Sequence, residues 1–204
     1  MIAFLHTSGV HIERFDKLVR KFDTNTPIKH FVNADLLKYA LQNKTLNING
    51  FQKEIVAIKK ENPELIICTC SSYGSVCNET NNVKRIDFPI ADYLVSNYTK
   101  IGIAFTAKST EKVSAELLQQ IANNQKKNIE IIAFDCTKYW KYFENNNIKK
   151  YENKIAKKIK KLAPNVDVVF LAQASMEGAK ELLLGIKQTI FSSPEFGVKS
   201  YLNK

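Results

Sequence analysis

The sequence has 204 residues, a length that fits about one to one and a half ordinary domains and is sufficient to bury a core without disulfides. Its 45% hydrophobic and 25% charged residues are the composition of a globular protein, which excludes a disordered or fibrous chain. No apolar run approaches the roughly 18 residues that a membrane helix requires, and the opening run, Met1–Leu5, is too short for a signal peptide. No membrane partner is therefore expected.

The formal net charge of +10 is typical of proteins that bind nucleic acid or another anionic surface. The basic residues are nearly all lysines, however, with arginine only at Arg14, Arg20 and Arg85. This bias, together with the heavy use of Asn and Ile, is what AT-rich coding DNA produces. The lysine runs, Lys149–Lys150 and Lys157–Lys161, lack the arginines and aromatic residues that hold phosphates and stack on bases. The sequence therefore disfavours nucleic acid as a partner.

Three of the four cysteines, Cys68, Cys70 and Cys77, fall within ten positions, and the fourth is Cys136. A disulfide framework spreads its cysteines so that they join distant loops, and this clustering does not. We therefore expect reduced thiols and a cytoplasmic location.

Short apolar, β-branched runs alternate with longer helical patterns along the chain, which is typical of an α/β fold with parallel strands. Several of these runs are almost continuously hydrophobic, as strands buried on both faces are. The predicted strands are Ile2–Leu5, Ile28–Val32, Leu65–Ile67, Ile101–Phe105, Ile129–Phe134, Val166–Leu171 and Thr189–Phe191. The predicted helices are Ile12–Lys21, Gly50–Glu61, Thr110–Asn124, Tyr151–Leu162 and Glu177–Leu184.

Two pairs of segments resemble each other across the chain. Ile2–Gly9 and Ile101–Lys108 are each an apolar strand that ends in small or hydroxyl residues. Roughly sixty residues after these starts, Pro63–Ser72 is matched by Asn165–Ser175. The repeat predicts two similar α/β halves, whose strand-end loops lie at the carboxyl edges where open α/β sheets bind ligands.

The segment Cys68-Thr-Cys-Ser-Ser72 is the strongest candidate for chemistry. It follows a predicted buried strand, where the free N–H groups of a turn bind an anion and favour a thiolate over a thiol. Cys68 is therefore expected to have a lowered pKa and to act as a base or nucleophile; the alternative is a small hydrophobic core residue. Cys-x-Cys without a second pair does not fit a zinc site, so no metal is expected. Cys77 and Cys136 are interpreted as structural.

At this segment the chain resembles a known family. Leu65–Ser72, with the sequence LIICTCSS, is similar to the Cys-Asn-Thr-x-Ser loop of the aspartate/glutamate racemase superfamily, with Cys68 at the catalytic cysteine and Ser72 at the closing serine. Three more segments resemble one branch of that superfamily: Arg85–Ile90 its Arg-x-Asp-x-Pro-Met segment, Asp167–Met176 its Leu-Ala-Gln-Ala-Ser-Met signature, and Ser192–Pro194 its Ser-Ser-Pro. In this order the resemblance covers most of the chain.

The resemblance implies two Rossmann-like parallel-sheet halves related by a pseudo-twofold axis, with an active-site cleft between them and no cofactor. We place the halves at residues 1–95 plus 189–204 and residues 96–188. In the family's racemases one cysteine removes the α-proton of the substrate as a thiolate, and a second cysteine returns a proton on the opposite face. On the simplest alignment Gln173 replaces that second cysteine, and a glutamine cannot titrate.

One histidine could supply part of the missing acid–base chemistry. His6 stands where the family's glutamate racemases carry an aspartate, and an imidazole titrates near neutral pH. It is therefore a candidate acid or base; the alternative is a structural histidine. His11 and His30 are expected at exposed or edge positions.

Groups at the predicted strand ends are candidates for binding the substrate through hydroxyl side chains, a thiol or main-chain N–H groups. The alternative for the hydroxyl residues is the capping of turns and helices. The candidates are Thr7, Ser8, Thr69, Cys70, Ser71, Ser72, Thr106, Ala174 and Ser175.

The sequence thus predicts a cofactor-independent enzyme of racemase or isomerase type. It would act through a cysteine thiolate at the α-carbon of a small carboxylate or amino-acid-like substrate. Because the second cysteine is replaced, two alternatives stay open: a one-cysteine decarboxylase, and a module of the same fold that binds an anion or metabolite without turnover. Members of the family often form dimers, so the resemblance also predicts a homodimer.

Overall fold

The structure, a computed structural model, describes residues 1–202. The chain forms two compact units: Met1–Phe88 together with the chain from Pro194 onward, and Pro89–Ser193. Each unit contains a four-stranded sheet, and the paired strands of both sheets are parallel. The predicted fold class, α/β with two parallel-sheet halves, is confirmed.

The first unit begins with β1 (Ile2–His6), α1 (Ile12–Phe22), β2 (Ile28–Val32), α2 (Ala34–Asn43), α3 (Ile48–Lys59), β3 (Leu65–Cys68), α4 (Gly74–Asn78) and β4 (Val83–Arg85). Its sheet has the strand order β2-β1-β3-β4. The central strands β1 and β3 are almost entirely buried and almost continuously apolar, as strands inside a parallel sheet are. They pack with α3 in a core that contains Phe51.

The second unit is connected through α5 (Phe88–Asn97) and contains β5 (Lys100–Phe105), α6 (Lys108–Asn124), β6 (Glu130–Asp135), α7 (Trp140–Glu144), α8 (Ile148–Leu162), β7 (Val168–Leu171) and β8 (Thr189–Ser192). Its sheet order, β6-β5-β7-β8, repeats the order of the first sheet. A core around Tyr151 of α8 packs against β5 and β7. The last helix, α9 (Ser193–Leu202), contributes its residues from Pro194 onward to the first unit.

All the predicted strands are present. The additional strand β4 was not predicted because it has only three residues, two of them charged. Helices α2, α4, α5, α7 and α9 were not predicted. The segment predicted as a helix at Glu177–Leu184 is a 3-10 helix at Ala174–Leu183, and Gly178 in its middle disfavours a regular α-helix.

The boundaries of the two units differ from those drawn on the sequence. The first unit ends at Phe88 rather than at residue 95, and β8 pairs with β7 of the second sheet. Only the chain from Pro194 returns to the first unit, where the Tyr201 hydroxyl donates to the carbonyl oxygen of Arg85 at 2.9 Å.

Within residues 1–202, no helix is both long and apolar enough to cross a membrane. All four cysteines are free of disulfide bonds.

Candidate functional site

Strands β1 and β3 of the first unit end side by side, because Leu5 pairs with Cys68 in the parallel register. The backbone ladder continues one residue further, where the N–H of Thr69 donates to the carbonyl oxygen of Leu5 at 3.0 Å. Residues that follow the two strands therefore lie at the same carboxyl edge of the sheet. Thr7 lies at one strand end, and the segment 69–74 at the other; we call the latter the Cys70 loop.

Cys68 lies inside β3 rather than in the loop, and its side chain is 1% exposed. A hydrogen bond with the Cys77 thiol and burial raise the pKa of Cys68 well above its ordinary value. A main-chain carbonyl oxygen, that of Cys70, lies 3.8 Å from its sulfur. The predicted lowering of the Cys68 pKa is therefore wrong, since both the Cys77 hydrogen bond and burial in the strand disfavour the charged form of this thiol.

Cys70 is the thiol that the loop presents. It follows the end of β3, is half-buried and directly precedes a short 3-10 helix, Ser71–Tyr73. Hydrogen bonds from the Thr7 side chain and from the backbone N–H groups of Ser72 and Tyr73 act to lower the pKa of the Cys70 thiol, and the Tyr73 N–H is shared with the Cys70 carbonyl oxygen, to which it donates at 3.1 Å. Burial and the neighbouring Cys68 nevertheless raise the pKa of the Cys70 thiol to about 11, against the effect of those three donors.

His6 ends β1 with both of its ring nitrogens in hydrogen bonds. Its Nδ1 lies 2.9 Å from Thr69 Oγ1, and its Nε2 lies 2.8 Å from His30 Nδ1. Because the Thr69 hydroxyl donates to the Leu5 carbonyl oxygen at 3.2 Å, we assign the proton of His6 to Nδ1 and the proton of the second bond to His30 Nδ1. His6 is fully buried and, in this arrangement, uncharged.

The lowered pKa values of His6 and His11 do not suit acid–base catalysis at neutral pH. Burial, with His30 and His11 nearby, lowers the pKa of His6 to about 3, so His6 is neutral and not an acid at neutral pH. His11 is buried as well, contrary to the exposed or edge position expected for it, and burial lowers its pKa to about 4.

The lowered pKa values of His6 and His11 predict that the protein loses stability in mild acid. Their pKa values, about 3 and about 4 in the folded protein, lie below the ordinary 6.5, so the unfolded chain binds more protons and stability falls with the pH from about 6.5 downward. Between pH 7.5 and pH 5 the free energy of unfolding should fall by about 4 kcal/mol, at most about 2 kcal/mol for each histidine. Urea unfolding at the two pH values measures this. In the variant His6→Gln the fall should be about half as large, and an equal fall in both proteins would contradict the assignment.

A buried ion pair contacts the Cys70 loop at its last residue, Gly74. The Arg85 side chain, 4% exposed, donates to both carboxylate oxygens of Asp87, at 2.6 and 2.9 Å. The guanidinium packs against Gly74, where an added Cβ would lie only 2.4 Å from Arg85 Cζ. Because the bidentate bond to Asp87 fixes the guanidinium, this contact fixes the end of the loop.

Gly74→Ala should therefore destabilise the protein. The methyl group would have to displace an arginine that is held by two charge-assisted hydrogen bonds, an overpacking that costs about 1–3 kcal/mol. Gly9→Ala is the matched control, because no atom lies within 4 Å of an added Cβ at that position. Thermal or urea unfolding compares the two variants, and equal stabilities would contradict the tight contact.

The second unit has its own cluster at the ends of β5 and β7, which we call the Gln173 cluster: Thr106, Ala107, Tyr151, Gln173 and Ser175. Gln173 Oε1 accepts hydrogen bonds from the Thr106 N–H at 2.5 Å, the Ala107 N–H at 3.0 Å and the Thr106 hydroxyl at 3.1 Å. The main-chain donors at the end of β5 are therefore occupied by a side chain of the same unit.

Tyr151 is a member of this cluster that sequence reasoning missed. Its hydroxyl lies 3.0 Å from Thr106 Oγ1 and 3.0 Å from Ser175 Oγ, and burial raises its pKa to about 12. Tyr151 is on α8, at a position that reads as an ordinary apolar helix position, so the sequence carries no local signal for it. Its hydroxyl links the two strand-end loops that present Thr106 and Ser175.

The predicted site residues thus fall into two groups, one in each unit. The first comprises Thr7, Ser8, Thr69, Cys70, Ser71 and Ser72, with His6 and Cys68 set into the sheet; the second comprises Thr106, Gln173, Ala174 and Ser175. Of the first group Ser8 and Cys70 are half-buried and the rest are buried. Within residues 1–202, no group of three or more His, Cys, Asp or Glu side chains is arranged to hold a metal ion.

Comparison with known proteins finds no matching protein-family model and no curated protein of significant sequence similarity. Solved structures do match. An aspartate racemase from Picrophilus torridus aligns with a TM-score of 0.79 at 15% identity, over 99% of this chain and 92% of its own. A glutamate racemase from Francisella tularensis, solved in complex with D-glutamate, aligns with a TM-score of 0.73 at 15% identity, over 99% of this chain and 79% of its own. An allantoin racemase from Klebsiella pneumoniae aligns with a TM-score of 0.67 at 12% identity, over 99% of this chain and 86% of its own.

Proposed function

We propose that this chain, which has the fold of the aspartate/glutamate racemase superfamily, is a cofactor-independent enzyme of racemase or isomerase type. It moves a proton at the α-carbon of a small carboxylate or amino-acid-like substrate. The Cys70 thiol, in place of the expected Cys68, carries that proton. The observation that supports this most directly is the set of donors at the Cys70 sulfur: the Thr7 side chain, the N–H group of Ser72, and the N–H group of Tyr73, which is shared with the Cys70 carbonyl oxygen.

Three donors on one sulfur suit a group that changes charge during a reaction. When a thiolate removes an α-proton, the C–H bond breaks, its electron pair passes into the carboxylate as an enediolate, and the proton goes to sulfur. When the thiol returns the proton, the sulfur becomes negative again. Fixed N–H and O–H donors stabilise the sulfur in its charged state at no cost of reorganisation. Cys68 has a smaller donor set, because only one backbone hydrogen bond, with Cys70, acts to lower its pKa, while its hydrogen bond with Cys77 raises it.

A second function, decarboxylation with one thiol, is favoured by the raised pKa of Cys70. A thiol with a pKa of about 11 is protonated at neutral pH and is therefore ready to donate. In that reaction the C–C bond to one carboxylate of a malonate breaks, CO2 leaves, and the electron pair forms an enediolate. The Cys70 S–H protonates the carbon, and water then protonates the thiolate. Decarboxylation needs only one proton donor, so the absence of a second titratable group at Gln173 is compatible with it.

The experiment is incubation of the full chain in D2O with a panel of amino acids, hydantoins and substituted malonates. NMR would report deuterium at the α-carbon, and CO2 release would be measured in parallel. Proton removal by a thiolate should speed up about tenfold per pH unit below the thiol pKa, whereas protonation by a thiol should not depend on pH in that range. Thermal shifts with these ligands in the absence of both reactions would indicate a binding module and contradict the proposal.

A further inference from the structure

The segment from Lys138 to Lys161 carries most of the net charge of the chain. It contains nine lysines and two glutamates, a formal net charge of +7 within 24 residues, whereas the whole chain of 204 residues has +10. All of these lysines except Lys158 are exposed. We call them the lysine face: Lys138, Lys141, Lys149, Lys150, Lys154, Lys157, Lys158, Lys160 and Lys161.

The lysines of α8 lie on one side of the helix. At about 100° per residue, those from Lys149 to Lys161 fall within an arc of about 180°. The opposite side is buried in the core of the second unit and carries Tyr151, Ile155, Ala156 and Ile159. Glu152 is on that side too, where its carboxylate packs against Gly178. The solvent side of α8 is therefore almost entirely lysine.

The charges of the lysine face are not compensated by acidic residues. Within residues 1–202, no carboxylate lies within ion-pair distance of its lysines, whereas exposed lysines elsewhere do pair, as Lys29 does with Glu61 at 3.0 Å. Lys150 and Lys154 are four residues apart, and neighbours at that spacing on a helix repel each other when they carry the same charge. A bound polyanion would relieve this repulsion.

The surroundings of the lysine face favour one class of polyanion. A helix that lies on a membrane inserts apolar side chains among the lipids, and the apolar side of α8 is already buried in the protein core. A protein interface centres on apolar and aromatic residues and is poor in lysine, and in residues 138–161 of the described chain no large hydrophobic side chain is exposed. A nucleic acid needs neither feature, because its phosphates bind ammonium groups as point charges.

Helix α7 adds an aromatic ring to the lysine face. The centroid of the Tyr142 ring lies 5.4 Å from Lys141 Nζ and 4.7 Å from Lys150 Nζ. The sequence disfavours nucleic acid because its lysine runs lack arginines and aromatic residues, but the fold brings Tyr142 beside a lysine eight positions away. Arginine remains absent, so the forked contacts that fix a binding geometry are missing and no base sequence is preferred.

We propose that the lysine face binds the phosphate backbone of a nucleic acid without preference for base sequence. Ammonium groups pair with phosphates and release the counterions that the nucleic acid had condensed. The contacts use exposed side chains of the second unit alone. This binding is therefore independent of the chemistry proposed for Cys70.

The probe is a fluorescein-labelled duplex DNA, titrated with the full chain at several KCl concentrations and followed by fluorescence anisotropy. If about five lysines contact phosphates, the logarithm of the association constant should fall with the logarithm of the salt concentration with a slope of about −4.5. A second duplex of unrelated sequence should bind with the same affinity within a few fold.

Two triple variants test the location of the binding surface. Lys154→Gln/Lys157→Gln/Lys161→Gln removes three charges from α8, and glutamine has nearly the helix propensity of lysine, so the helix should be kept. The slope should become shallower by about 3, and the duplex should bind at least about 10-fold more weakly. Lys53→Gln/Lys59→Gln/Lys60→Gln is the matched control, because it removes the same charge from exposed lysines at α3 and should leave the slope unchanged. Far-UV circular dichroism checks that both variants are folded.

Four results would overturn the proposal. The first is the absence of duplex binding at low salt, and the second is an equal loss of affinity in the two triple variants, which would show an effect of net charge alone. The third is a strong preference for one of the two duplex sequences. The fourth is tighter binding to phosphatidylserine/phosphatidylcholine vesicles or to a polyglutamate peptide than to the duplex, which would assign the lysine face to a membrane or to an acidic protein.

Discussion

Cys70→Ala should abolish proton exchange at the α-carbon of the substrate. A positioned acid or base contributes about 10²–10⁴-fold to the rate, so α-deuteration should fall by at least about 10²-fold. The same loss is expected for CO2 release if a malonate is the substrate. NMR of the products in D2O measures the first rate, and CO2 detection measures the second.

The matched control is Cys68→Ala, two residues earlier, at the end of β3. Cys68 is 1% exposed and has a strongly raised pKa, so its removal leaves the donors on Cys70 in place and should retain most of the activity. Alkylation by iodoacetamide, mapped by mass spectrometry, gives a second measurement that needs no substrate: Cys70 should be labelled in the native protein and Cys68 only after unfolding. Loss of activity in Cys68→Ala with retention in Cys70→Ala would reverse the assignment.

The choice between these two cysteines shows how far the sequence alone could lead. The apolar run from Leu65 correctly predicted a buried strand, and the small polar residues after it correctly predicted a loop. Whether the strand stops before or after Cys68 depends on its pairing with Leu5, more than sixty residues away in the chain. A local sequence pattern contains no information on that register. The ends of strands are therefore the least reliable part of a prediction from sequence. Here the position of the strand end decides that Cys68 is a buried core thiol and that Cys70 is the half-buried thiol of the loop.

The Gln173 cluster was only partly predictable for a related reason. The loss of a titratable group at residue 173 was readable from the sequence, as was the hydroxyl of Thr106 at a strand end. Their hydrogen bond joins residues 67 positions apart, and Tyr151 enters from a helix that looks like any amphipathic helix. Such contacts follow from the packing of α8 on the sheet. Residue identity alone does not specify them.

The buried histidines illustrate the opposite error, in which a residue type suggested chemistry that its surroundings remove. His6 at a strand end reads as an acid or base near neutral pH. In the fold it is fully buried, with His30 and Thr69 on its two nitrogens, and its pKa falls to about 3. Its contribution is to hold Thr69, and with it the start of the Cys70 loop.

The second large effect is expected from the ion pair that supports this loop. Asp87→Ala would leave the buried Arg85 guanidinium without its carboxylate, and an uncompensated buried charge costs about 3–5 kcal/mol. The double variant Arg85→Met/Asp87→Leu removes both charges and should recover most of that loss, because apolar side chains of similar size replace a buried pair at little cost. Glu130→Ala, which breaks the half-exposed pair with Lys100 at 3.0 Å, should leave the unfolding midpoint nearly unchanged. Urea unfolding of the three variants measures these differences. An Asp87→Ala protein no less stable than Glu130→Ala would show that Arg85 finds water or another partner, and that Gly74 and the Cys70 loop do not depend on the pair.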